Sequence, residues 1–272
     1  MQSVRRAGQW PVATVAVAVV DASGAVVGSY GPQDQPFRLA SVTKPLSAYA
    51  VLLAVAEGAL EWDQPAGPNG ATVRHLIAHA SGLAFDTDRV WAAPGTKRIY
   101  SNAGFAVLAA VVQAATGIEF ADYLAEGVLR PLGMSASRLA GAAGTGAVST
   151  CADLARFAAE LQAPKLLAPQ TLAEATTVAY PGLDGLVPGF GMMRPNDWGL
   201  GFELRGHKHP HWTGARSSPE TFGHFGATGT FLWVDPTAGA ACVALTDRSF
   251  GQWAKDAWPP FTDAVLAELA GE

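Results

Sequence analysis

Apolar positions change period twice along the 272-residue chain, dividing it into strand-like ends and a helical middle. Near the amino terminus, the valine-rich run Val12 to Val20 and the run Ala25 to Tyr30 flank Asp21-Ala22-Ser23-Gly24. β-branched runs on either side of turn chemistry predict an antiparallel hairpin. After the turn-rich segment Gly31 to Pro36, helical spacing runs from about Ser41 to Gly58, with Pro45 in the first turn, where a missing N–H costs little. Further helices are predicted over Val73 to His79, Ala103 to Ala115, Phe120 to Leu129 and Ala152 to Leu161, punctuated by Ser81-Gly82, Pro94-Gly95, Gly117 and Pro131-Leu132-Gly133.

Beyond a Pro- and Gly-rich loop between Pro181 and Asp197, the pattern returns to strands: Gly199 to Arg205, Thr230 to Val234 and Ala240 to Thr246. The last two are joined by the hairpin-like Asp235 to Gly239, and an amphipathic helix follows from about Trp253 to Ala270. Strands at both ends with helices between predict an α+β fold. In it, both termini build one antiparallel sheet flanked by helices, and a mostly helical part is inserted. The expected division is a single domain over 1–272, with an α/β part formed by 1–60 and 195–272 and a helical part by 61–194. A site is expected in the cleft between them.

Composition narrows the partners. The chain is 49% hydrophobic and 15% charged, the balance of a globular protein with a large core. A net charge of -5 with scattered Lys and Arg offers no stripe for a nucleic-acid backbone, so nucleic acid is not an expected partner. No apolar stretch approaches the roughly 20 residues that cross a bilayer. Arg5-Arg6 ahead of the first apolar run imitates a secretion signal, but the run is short, valine-rich, introduced by Pro11 and followed by a second β-like run. A hairpin fits better than a leader, and a cytoplasmic location is the expectation. Cys151 and Cys242 lie far apart in apolar settings, as buried structural thiols do.

Three short motifs carry the chemistry. Ser41-Val42-Thr43-Lys44 places a hydroxyl and an amine at i and i+3, on one face of a helix start, where the amine can take the hydroxyl proton. Tyr100-Ser101-Asn102 follows a turn and precedes a helix. His224-Phe225-Gly226-Ala227-Thr228-Gly229 precedes an apolar run and reads as an inner strand lining the cleft, with glycines that let a substrate backbone lie close.

In that order, the motifs make the chain resemble the serine β-lactamase and penicillin-binding protein superfamily, in the class C-like branch that includes D-amino-acid peptidases and family VIII esterases. Val73 to Leu83, Pro94-Gly95-Thr96, Thr116-Gly117 and Pro131-Leu132-Gly133-Met134 extend the resemblance over nearly the whole chain. It implies that Ser41 is the acylated nucleophile and that Lys44 eases its deprotonation. Tyr100 would shuttle protons and activate the deacylating water, at a pKa shifted by Lys44. Asn102 would hold Lys44 and a substrate amide oxygen. The backbone N–H groups of Ser41 and Ala227 would form the oxyanion hole, with His224, Gly226 and Ala227 lining the substrate. Whether Lys44 or Tyr100 is the acylation base stays open at this point.

The departures shape the expected substrate. His224 stands where β-lactamases and D-Ala-D-Ala peptidases usually carry a fixed lysine cation, and an imidazole is mostly neutral at pH 7. The stretch Glu61 to Gly70 is short, which favours a wider cleft. The resemblance therefore implies a serine hydrolase acting on small esters or D-peptide-like amides, with neither metal nor organic cofactor. The alternatives are a β-lactamase or D-Ala-D-Ala carboxypeptidase, and a non-catalytic sensor on the same scaffold. An α/β-hydrolase is disfavoured because no Gly-x-Ser-x-Gly elbow occurs.

Remaining motifs are given structural roles. His75 and His79 have i, i+4 spacing but lack the intervening Glu of a zinc hydrolase, so a cap or core hydrogen bond is expected. His207-Lys208-His209-Pro210-His211 is expected as a surface loop near the cleft mouth. Among the aromatic residues, Phe225 and Trp212 are the ones expected near the site, with Trp198 and Trp233 in the ordinary core.

Overall fold

A computed structural model describes residues 1–272. In chain order the strands and α-helices are β1 (Val15–Asp21), β2 (Val26–Tyr30), β3 (Phe37–Arg38), α1 (Thr43–Ala56), α2 (Val73–Ile77), α3 (Asn102–Thr116), α4 (Phe120–Leu124), β4 (Arg138–Leu139), β5 (Ala147–Ser149), α5 (Cys151–Gln162), α6 (Pro169–Ala175), β6 (Gly185–Val187), β7 (Gly191–Met193), β8 (Glu203–Leu204), β9 (Phe222–Gly226), β10 (Thr230–Asp235), β11 (Ala240–Thr246) and α7 (Gln252–Leu269). Both termini do build one antiparallel sheet, in the order β2-β1-β11-β10-β9-β8.

The strands β1, β10 and β11 are buried on both faces, which explains why they read as continuous apolar runs rather than alternating ones, whereas the edge strand β2 is largely exposed. On β1, Ala16, Ala18 and Val20 face a core of 49 buried residues shared with α1, α3 and α5. Val15, Val17 and Val19 face a second core of 20 residues shared with α7 and the amino-terminal 3-10 helix Ser3–Gln9. Cys151 and Cys242 are buried and free. No single helix is long and apolar enough to cross a membrane.

Three local differences from the sequence reading bear on the site. The strand expected over Gly199 to Arg205 shrinks to the two residues of β8, because Gly201 has a φ of 92° and its Cβ position would strike the Ala48 side chain. The loop between Pro181 and Asp197 contains the hairpin β6–β7, and Arg98 bridges in parallel to Gly185 at its edge. Ser41 lies in a 3-10 turn, Ala40–Val42, that feeds α1 rather than in the helix proper.

Candidate active site

The nucleophile candidate sits on a constrained turn. Ala40 adopts a φ of 47°, a conformation that L side chains rarely take, so the chain bends sharply just ahead of Ser41. The turn is clamped from the sheet side, where Thr228 Oγ1 donates to Arg38 O at 2.7 Å and Thr230 Oγ1 donates to Leu39 O at 2.8 Å. Gly226 packs so tightly here that a Cβ would lie 2.3 Å from Leu39 O. These contacts bring the end of β9, and Ala227 directly after it, against the residues that precede Ser41.

One helical turn on, Lys44 is fully buried. Its Nζ lies 3.5 Å from Ser41 Oγ and donates to Asn102 Oδ1 at 2.5 Å and to Gly144 O at 2.9 Å. Burial pushes its pKa down to about 7, although the negative charge of Asp86 opposes the shift. Asp86 also orients the asparagine, accepting from Asn102 Nδ2 at 2.7 Å and so turning the amide oxygen towards Lys44. The loop carrying Gly144 is fixed to α1 by Ser47 Oγ, which donates to Ala143 O at 2.6 Å. Thr43 Oγ1 accepts from Ala147 N at 2.9 Å.

The second motif is built around a helix start. Ser101 caps α3 by accepting from Gly104 N at 3.0 Å, which leaves Tyr100 just outside the helix and Asn102 in its first turn. The Lys44 ammonium lies 4.5 Å from the centroid of the Tyr100 ring. Burial raises the Tyr100 pKa and pairing with the Ser41 hydroxyl partly offsets it; the shift does not come from Lys44, so Tyr100 stands as a neutral phenol.

Beside Tyr100 packs a cluster of rings that sequence reasoning only partly found. His79 lies outside α2 with a φ of 55°, and its Nδ1 accepts from Ser101 N at 3.1 Å. Its ring centroid is 4.7 Å from those of Tyr100 and Trp198. This is the hydrogen-bonding role expected of it, and His75 takes the cap role: its N–H donates to Thr72 Oγ1 at the start of α2, its Nδ1 pairs with the same hydroxyl, and its ring stacks on Tyr180. Trp198 also meets His224, at 5.4 Å between centroids. It is therefore Trp198 that reaches the site, while Phe225 and Trp212 fall in the second core. Strand alternation gives the reason: His224 and Gly226 face the helical side, and Phe225 between them faces α7, Phe231 and Trp258.

His224 is buried, and its Nδ1 donates to Phe225 O at 2.6 Å, so in its neutral form the lone pair resides on Nε2. Burial, reinforced by the charge of Lys44, pushes its pKa down to about 3. The third motif thus presents a neutral imidazole rather than a cation.

The expectation of a surface loop for His207 to His211 is overturned in part. Lys208 and His211 are buried. Lys208 Nζ pairs with Glu203 Oε1 on β8 and donates to Asp197 O at 2.8 Å, and His211 Nε2 meets the same carboxylate at 3.1 Å. Trp212 Nε1 donates to Glu203 Oε2 at 2.5 Å. Burial works against the Glu203 charge, but Lys208 and His211 hold its carboxylate below the usual range. A buried carboxylate on a two-residue edge strand needs these partners, and they tie the loop down beside β9.

Arg98 was not singled out by the sequence. Buried two residues before Tyr100, it donates to the carbonyls of Ala78, Ala179, Tyr180 and Asn196, and its backbone N–H bonds Asp184 O at 2.9 Å. It joins the Tyr100 segment to the loop before β6. Asp86 and Gly144 were likewise missed, because neither lies in a recognisable motif.

A fold with both termini in one sheet, and a Ser-x-x-Lys turn facing a Tyr-x-Asn loop and a cleft strand, defines one class of protein. The chain belongs to the Beta-lactamase family, whose model matches residues 7–266. It is similar to a beta-lactamase from Mycobacterium bovis known from its crystal structure, with 56% identity, 98% of this chain and 99% of that one covered, and a TM-score of 0.97. It is also 27% identical over 136 residues to penicillin-binding protein 4* of Bacillus subtilis, covering 38% of this chain and 30% of that protein. With esterase EstB of Burkholderia gladioli it shares 37% identity over 86 residues, 26% of this chain and 21% of that protein. The matched segments thus span about a third or less of those two curated relatives.

Proposed function

We propose that the protein is a serine hydrolase that forms an acyl-enzyme on Ser41 and acts on small esters or D-peptide-like amides. The observation that carries this reading is the setting of Lys44. A neutral amine has two N–H bonds and one lone pair, and here Asn102 Oδ1 and Gly144 O take the two N–H bonds. The lone pair is left for the Ser41 hydroxyl, and a pKa near 7 leaves the amine substantially unprotonated at neutral pH.

In the first step Ser41 Oγ attacks the substrate carbonyl carbon while its proton passes to Lys44 Nζ. The oxyanion is met by the N–H groups of Ser41 and Ala227. The Tyr100 phenol, raised in pKa by burial and near Ser41, gives a proton to the departing alkoxide or amine and regains one from Lys44. Water then attacks the Ser41 ester along the reverse proton route, releasing the acid. These assignments make Lys44 the acylation base and Tyr100 the proton donor.

The neutral His224 supports esters and uncharged amides over substrates anchored by a carboxylate. β-Lactam hydrolysis is the second reading, favoured by the 56% identity to a protein named beta-lactamase. Turnover of p-nitrophenyl acetate and butyrate against nitrocefin tests the choice. Faster ester turnover that is lost in Ser41→Ala supports the proposal; ester turnover retained by Ser41→Ala removes it, and rapid nitrocefin turnover favours the second reading.

A further inference from the structure

A cleft of about 570 Å³ opens beside Tyr100, between the segment leading into the second motif and the β6–β7 hairpin. Its apolar wall is made by Phe85, Trp91, Ile99, Leu186, Pro188 and Met192. Of the nine large apolar side chains the protein leaves exposed, four line this cleft: Phe85, Trp91, Leu186 and Met192 are 45%, 60%, 52% and 57% exposed.

Leu186 and Met192 are direct cross-strand partners in β6–β7, so the hairpin presents an apolar pair where a small exposed hairpin ordinarily carries polar ones. The inner end of the cleft is Phe85, whose ring stacks on Tyr100 at 5.8 Å and 27° and whose carbonyl accepts from Asn102 N at 2.7 Å. Arg194 on the rim is paired with Asp184. The apolar surface is therefore continuous with the proposed catalytic tyrosine, and water covers it when the site is empty. Only a ligand that buries it recovers that cost.

We infer that this cleft is the acyl-specificity site of the enzyme and that its substrates carry a medium-length apolar acyl chain, with Trp91, Leu186 and Met192 as the residues that select it. The inference rests on the acyl-enzyme reading above. The acyl side is assigned because that half of the substrate stays on the enzyme through both steps, so a binding cleft aids it throughout, whereas a leaving group held there would slow its own release. Met192 lets the wall adapt to chains of different shape.

The test has three arms. Across p-nitrophenyl acetate, butyrate and octanoate, kcat/KM rises by about tenfold or more, within what burying the added methylenes can supply. Trp91→Ala/Leu186→Ala reduces the octanoate-to-acetate ratio about tenfold, while Val26→Ala, exposed on the far edge strand β2, leaves it unchanged. In Ser41→Ala, octanoate displaces an environment-sensitive fluorescent fatty-acid probe at far lower concentration than acetate does, and the double substitution abolishes the difference. A flat or falling chain-length series overturns the inference, as does a length dependence found only when the alcohol of acetate esters is varied. If no ester, D-peptide amide or β-lactam acylates Ser41 yet Ser41→Ala still binds octanoate through Trp91 and Leu186, the acyl-enzyme reading fails and the cleft remains an apolar-chain binding site. Equal binding of acetate and octanoate in Ser41→Ala overturns the cleft assignment by itself.

Discussion

Lys44 and Asn102 are joined by a 2.5 Å hydrogen bond from the side-chain amine to the amide oxygen, and Asp86 fixes the far end of that amide at 2.7 Å. The three side chains form a line in which a carboxylate sets the orientation of an amide and the amide sets the direction of an amine. Replacing Lys44 removes the proposed base and leaves the Asn102–Asp86 part of the line in place. Lys44→Ala should lower kcat/KM for an activated ester by about 10³-fold, within the usual range for a lost general base. Lys44→Arg should not rescue it, because a guanidinium does not give up its proton near neutrality. Steady-state kinetics on p-nitrophenyl butyrate checks both.

The pH profile has a definite sign. Below about 7 the Lys44 amine holds its proton and cannot accept another from Ser41, so kcat/KM should rise with pH through about 7. Asp86 favours the charged amine, so Asp86→Asn should move this rising limb to lower pH while its amide oxygen still accepts from Asn102. A limb that moves to higher pH would mean that another group controls it.

His224 is neutral throughout the working range, its pKa having fallen to about 3. Placing a cation there should improve substrates that carry a carboxylate. His224→Lys is expected to raise the acylation rate by penicillins about tenfold, the order of one charge-assisted hydrogen bond after the cost of its burial. Stopped-flow labelling followed by intact mass measures it.

The Glu203 network stabilises the loop beside the cleft strand rather than the chemistry. Lys208→Met leaves the Glu203 carboxylate buried with less compensation, and should cost about 3 kcal/mol of folding stability. Thermal unfolding reads this directly.

Gly226 is constrained by space. A Cβ there would lie 2.3 Å from Leu39 O, on the backbone that leads to Ser41. Gly226→Ala should therefore displace the turn and reduce kcat about a hundredfold, the scale of an ångström of misplacement, with a smaller effect on unfolding temperature.

Much of this fold is legible in the sequence. The two terminal strand groups, the helical insertion and the order of the three motifs follow from apolar period and turn residues, because those are local properties. Gly58 and Gly117 do end helices with positive φ, as the pattern suggests. What is not legible depends on contacts distant along the chain. Trp198 and Phe225 look alike as aromatic residues near strands, but alternation along β9 turns Phe225 into the second core, while Trp198 reaches His224 from the loop ahead of β8. Lys208 and His211 look like surface residues until Glu203, five and eight positions away, is buried beside them. The strained Ala40 leaves no trace in the sequence, because glycine or asparagine would signal a positive φ and alanine does not.

Formation of a covalent ester on Ser41 tests the proposed chemistry most directly. Incubation with p-nitrophenyl butyrate, quenching in acid within the first turnovers and intact-mass analysis should give a species heavier by one butyryl group, with peptide mapping placing it on Ser41 and none in Ser41→Ala. An unmodified protein that nevertheless releases p-nitrophenol, or an adduct mapped to another residue, would contradict it.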